Sequence, residues 1–259
     1  TDLNLLQLHI DHQNIAQLTF NDEARLNALG LEMAQCFRRR VTELSQSSAR
    51  VVILRGLGRS FSSGGDLAML EAKSRQTLEE NKSQMLEFYC SFLDLLNLEI
   101  PVIAALQGYA VGAGCIVAAA CDLRVAETNA RFSTPFLRMG LFPGMGTTLF
   151  LPRAFGSKAV EMLLTGMMVS AQEASDCGFV HRLVDEGQAT PKALELAREI
   201  LQSAPGVTKN LLRQLRPSRE ERLATLNQEA QLQGASYLDP EFAQGLQALK
   251  RRAPSPFVP

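Results

Sequence analysis

The chain has 259 residues, 46% of them hydrophobic and 20% charged, with a formal net charge of −1. That length buries a sizeable core without disulfides or metals, and the near-neutral balance argues against a basic nucleic-acid surface as its main business. No uninterrupted apolar run of about 18 residues suggests a membrane span, and no charged-then-apolar signal peptide opens the sequence.

In chain order, "LLQLHI" (5–10) and "NIAQLTF" (14–20) read as two short strands flanking the polar turn "DHQN". Apolar residues at helical spacing over 27–44 predict a helix, and "RVVILRG" (50–56) a buried parallel strand ending at glycine. The Gly/Ser loop "GRSFSSGGDLAML" runs into a helix, and a longer helix is expected over roughly 75–97. "PVIAALQG" (101–108) is a second buried strand followed directly by a helix, "GAGCIVAAACD" (112–122). "DLRVAE" (122–127) and "RFST" (131–134) read as further strands. Beyond about residue 157 the pattern turns helical through 219–252, with "GFVHRLVD" a short strand. Strands alternating with helices imply βαβ units and a parallel sheet, so the layout is an α/β core with a helical tail.

Two loops share one form, a buried strand, a turn of small residues and a helix N-terminus: "RSFSSGGDL" (59–67) and "QGYAVGAGC" (107–115). A helix N-terminus offers unpaired N–H groups and partial positive charge, and two converging on one point make an oxyanion hole. The same glycines also suit close packing of helix on strand, and spacing alone leaves both readings open. The odd set of five cysteines (Cys36, Cys90, Cys115, Cys121, Cys177) lacks CxxC spacing, so a reducing, cytoplasmic compartment and no metal site are expected, with Cys115 and Cys121 of the apolar run as small core residues.

The ordered blocks "NAL" (27–29), "RSFSSGGDL", "PVIAALQGYAVGAGC", "ACDLRVA", "ARFSTPFLRMGLFPGMG" and "LLTGMMVSAQEASDCGFVHRLV" resemble the crotonase (enoyl-CoA hydratase/isomerase) superfamily. The resemblance implies an α/β spiral of repeated ββα units over 1–195 with the acyl-CoA site. It also implies a C-terminal helical region over 196–259 for trimerisation and CoA contact. The implied substrate is an acyl-CoA thioester, with no cofactor beyond the coenzyme A it carries, and the implied assembly is a homotrimer or dimer of trimers. The Gly65 and Ala113 amides would hold the thioester oxygen of an enolate. Ser63, Gly65 and Leu67 match positions lining the adenine pocket, and Arg25 is placed for phosphate or adenine. Leu249 and Arg252 align with an aromatic and a basic position that contact CoA; the leucine departs from that pattern. Asp66 matches an aspartate that is structural, and capping of the following helix explains it better than catalysis. Asp122 reads as a turn or strand-entry residue.

The usual acids are missing from the matching positions. By resemblance, one hydratase glutamate would follow the small-residue turn, where Ile116 stands. The other would follow the proline of "TPF", where Phe136 stands, and an isomerase base would occupy Gly144 of "FPGMG". Proton transfer needs a group of suitable pKa within about 2.6–3.2 Å, and these residues offer none. His9, His12 and His181 lie outside the motif blocks. Tyr89, Tyr109, Ser133, Thr134 and Arg138 are polar groups near them, while Glu71, Glu79 and Glu87 read as a solvated helix face. Hydration by the two-glutamate route is therefore not expected. An acyl-CoA enzyme that works by enolate stabilisation is, with decarboxylation or a catalytically silent acyl-CoA-binding role as alternatives.

Overall fold

A computed structural model describes residues 3–258. It opens on the hairpin of β1 (Leu6–Ile10) and β2 (Ile15–Phe20), turned by Asp11, whose carboxylate accepts the Gln13 and Ile15 amides at 2.8 and 3.0 Å. Helix α1 (Leu31–Ser45) follows, burying Met33, Phe37, Val41 and Leu44 at the spacing of one helical face. Then come β3 (Val51–Gly56), α2 (Leu67–Lys73), α3 (Leu78–Leu93), β4 (Val102–Leu106), β5 (Tyr109–Val111), α4 (Ala113–Ala120), β6 (Leu123–Glu127) and β7 (Arg131–Ser133). The second half holds α5 (Thr147–Phe155), α6 (Lys158–Thr165), β8 (Val169–Ser170), α7 (Ala171–Asp176), β9 (Arg182–Val184), α8 (Ala189–Leu201), α9 (Pro205–Leu215), α10 (Arg219–Ser236) and α11 (Pro240–Arg251).

Among the described residues the strands form a six-stranded sheet in the order β1-β2-β3-β4-β6-β9, parallel except for the hairpin. A second sheet, β5-β7-β8, lies beside it. This is the α/β spiral of strand pairs and helices that the motif blocks imply. One sheet face buries Ile15, Val51, Ile53, Ile103 and Val125 under Ala193, Leu196 and Ala197 of α8. That helix runs through residue 195, the boundary expected between the core and the C-terminal helical region. The other face carries the larger core, into which α4 is buried at every position.

The expected helix over 75–97 is α3 followed by a 3-10 turn at Asp94–Asn97. The segment 219–252 is two helices, broken where Asp239 caps the chain and Pro240 restarts it. Helix α5 and the short strands β5 and β8 had no clear sequence pattern. Helices α3 and α10 pack closely: a β-carbon at Gly234 would lie 3.4 Å from the Lys82 backbone nitrogen. Arg216 fastens the start of β4 by donating to Leu96 O and Ile100 O and pairing with Asp122 at 2.6 Å. Among the described residues no helix is long and apolar enough to cross a membrane.

Candidate active site

The two small-residue loops are joined edge to edge. Ser62 N donates to Tyr109 O and Val111 N to Ser62 O, while Ser62 Oγ donates to Asn27 O and accepts from Gly64 N. Asn27, the buried asparagine of "NAL", donates to Leu57 O and Ser60 O and so pins the first loop at its base. Gly112 takes φ 52° and ψ −123°, a conformation that suits glycine, and turns the chain from β5 into α4. Close approach is required as well: a β-carbon at Gly64 would crowd Val111 O and come within 3.6 Å of Ala113 N. Small residues here thus serve packing and leave the backbone accessible.

Gly65 and Ala113 both line a cavity of about 860 Å³. Gly65 pairs with Leu29 through its neighbours' atoms, Leu29 N donating to Gly64 O and Asp66 N to Leu29 O. The Gly65 amide is left out of that exchange. Ala113 is the first residue of α4, where no intrahelical acceptor exists for its N–H. Two residues whose amides have no hydrogen-bond acceptor among the described residues therefore line one cavity.

Arg25, Ser63, Asp66, Leu67, Leu249 and Arg252 line the same cavity, and Arg25, Leu67, Leu249 and Arg252 are exposed, which marks its mouth. Asp66 Oδ1 accepts the Met69 amide at 2.8 Å as the N-cap of α2, and Oδ2 lies 3.6 Å from Arg25. Its carboxylate holds the loop. Glu71 on α2 pairs with Lys250 on α11 at 2.7 Å, tying the two helices together.

The three acid positions fare differently. Phe136 and Gly144 line the cavity; Ile116 does not, being fully buried in the core. Gly144 lies against Tyr89, whose hydroxyl a β-carbon there would overlap. The Tyr89 and Tyr237 hydroxyls both donate to Gln233 Oε1, the latter at 3.2 Å, and Gln233 Nε2 donates to Phe142 O at 2.6 Å. Burial pushes both phenols well above their ordinary range, so they stay neutral. Tyr89 was a sequence candidate. Gln233 and Tyr237 were missed, because nothing in the sequence signals that α10 reaches the site.

Arg138 also lines the cavity, its Nε donating to Thr165 O at 2.6 Å. Tyr109, Ser133, Thr134, the three histidines and Glu71, Glu79 and Glu87 do not line it. Asp122 accepts the Val102 amide at the entry to β4. Burial pushes the Cys115 thiol to about 12, far from a nucleophilic thiolate.

A family model described as enoyl-CoA hydratase/isomerase matches residues 11–257. A 2,3-dehydroadipyl-CoA hydratase of Escherichia coli is 34% identical over 247 residues, covering 93% of this chain and 94% of that protein. A short-chain-enoyl-CoA hydratase of Clostridium acetobutylicum is 36% identical over 198 residues, 75% of each. An enoyl-CoA hydratase/isomerase structure from Mycobacterium paratuberculosis superposes with a TM-score of 0.85 at 26% identity, covering 94% of this chain and 98% of the other.

Proposed function

The chain belongs to the enoyl-CoA hydratase/isomerase family, and from that premise we propose that it binds an acyl-CoA thioester in this cavity and stabilises its enolate without a carboxylate base. The observation that carries the reading is the cavity wall. Among its described residues the one carboxylate is Asp66, already engaged with the Met69 amide and Arg25.

The Gly65 and Ala113 amides donate to the thioester oxygen, and their hydrogen bonds strengthen as that oxygen gains negative charge. One such donor is worth roughly 2.7–4 kcal/mol in the transition state. Adding water to an enoyl-CoA needs a held water and a group that takes up its proton. Phe136 and Gly144 supply neither.

Decarboxylation of a malonyl-type acyl-CoA suits this wall. The bond from the α-carbon to the carboxylate breaks, carbon dioxide leaves, and the bonding electron pair becomes the enolate whose oxygen the two amides hold. A solvent proton then adds to the α-carbon. No side chain has to remove a proton, and the neutral phenols of Tyr89 and Tyr237 add no charge of their own.

Val207, Leu211 and Leu215 follow each other at helical spacing along α9 and are 69%, 55% and 70% exposed. This apolar face supports assembly into a trimer or dimer of trimers. The odd set of five cysteines without CxxC spacing supports a reducing, cytoplasmic setting.

A panel of crotonyl-CoA, a 3-enoyl-CoA, malonyl-CoA and methylmalonyl-CoA tests the reading. Carbon dioxide release from a malonyl-type thioester supports it, and hydration of crotonyl-CoA at the pace of ordinary hydratases overturns it. Tight acyl-CoA binding with no turnover on any arm assigns the chain a purely binding role.

A further inference from the structure

The buried part of the cavity wall holds a polar cluster that the enolate chemistry above does not use. Tyr89, Gln233 and Tyr237 are 1%, 2% and 1% exposed, yet all three line the cavity, in contrast to the exposed residues at its mouth. Met85 and Phe88 of α3 line it beside them, so the surroundings are otherwise apolar.

Counting donors and acceptors shows what the cluster has left to offer. Gln233 Oε1 accepts from both phenols, the Tyr237 hydroxyl also lying 3.7 Å from Met85 Sδ, and Gln233 Nε2 places one of its two hydrogens on Phe142 O. With its hydrogen directed at Gln233 or Met85, each phenol oxygen keeps acceptor lone pairs, and Gln233 Nε2 keeps one N–H. A hydrocarbon tail lying against them would leave those acceptors buried and unmatched, which is unfavourable. A hydroxyl would donate to one of them. Gly144 belongs to the same arrangement, since any side chain there would displace the Tyr89 hydroxyl from the wall.

We propose that Tyr89, Gln233 and Tyr237 form a hydrogen-bonding subsite that selects acyl-CoA thioesters carrying a hydroxyl at the far end of the acyl chain. The proposal rests on the acyl-CoA reading of the cavity. The fixed amide of Gln233 orients both phenols, so the subsite is preorganised for a group that both donates and accepts, as a hydroxyl does.

The test is calorimetric titration of the whole protein with ω-hydroxyacyl-CoA thioesters three to six carbons long. Each is paired with the isosteric thioester in which a methyl replaces the hydroxyl. At one chain length the hydroxy thioester should bind about tenfold tighter, the equivalent of one net hydrogen bond. In Tyr89→Phe or Tyr237→Phe that preference should shrink towards one, while affinity for the methyl partner holds or rises. Equal binding of every pair by the wild-type protein overturns the subsite but leaves the acyl-CoA reading intact. Failure to bind any acyl-CoA overturns both. The wild-type comparison decides the matter even if a variant folds poorly, and a preference for ω-aldehyde thioesters over the hydroxy ones refutes the hydroxyl assignment.

Discussion

The Tyr89 hydroxyl occupies the space that a side chain at position 144 would need. The position where an isomerase base was sought is thus filled by a phenol from α3, itself held by Gln233 of α10. Installing an acid at 144 should not restore a base. Gly144→Glu is expected to lose about 1–3 kcal/mol to overpacking, read as a lower Tm, and to gain no 3-enoyl-CoA isomerisation.

Ile116 and Phe136 should respond differently to the same change. Ile116 is fully enclosed in α4, so Ile116→Glu is expected to cost about 3 kcal/mol or more in denaturant unfolding. Phe136 is half-buried on the cavity wall, and Phe136→Glu should cost only about 1 kcal/mol. Similar losses at both positions would contradict this placement.

Ala113→Pro deletes one oxyanion donor at a helix position where proline is well tolerated. Turnover should fall roughly 10²–10³-fold while acyl-CoA affinity changes little, because the donor acts mainly on the charged intermediate. A large rise in Kd with unchanged kcat would place the amide in ground-state binding instead.

Glu229 anchors α10 to the start of α5, accepting Gly146 N at 2.5 Å, Thr148 N at 2.8 Å and Thr148 Oγ1 at 2.6 Å. In Glu229→Gln an NH₂ group must face a donor, and unfolding should show a loss of about 1–3 kcal/mol. Burial raises the Glu229 carboxyl above its ordinary value of 4.5, so the folded state holds this proton to higher pH than the unfolded chain. Its contribution to stability therefore declines as pH rises from 4.5 through the folded value, a slope that the glutamine variant should lack.

The sequence displayed the sheet strands and both glycine loops because each is a local pattern of β-branched runs ending in small residues. It displayed Arg25, Ser63, Asp66 and Arg252 through the family resemblance, and the structure gathers them on one cavity. Gln233 and Tyr237 were not legible, since they lie 144 and 148 positions beyond Tyr89 and join it by the packing of α10 on α3. Helix α5 was hidden behind the turn "FPGMG" and its own internal Pro152, and its start depends on the distant Glu229 rather than on a local cap. The break at Asp239–Pro240 was passed over in reading 219–252 as helical, although a capping residue followed by proline stands there.

Mass spectrometry of the products formed in isotopically labelled water tests the absence of a carboxylate base most directly. With methylmalonyl-CoA in deuterium oxide, propionyl-CoA carrying deuterium at its α-carbon should accumulate. With crotonyl-CoA in oxygen-18 water, no labelled 3-hydroxybutyryl-CoA should form. Catalytic formation of that labelled hydroxyacyl product would contradict the account.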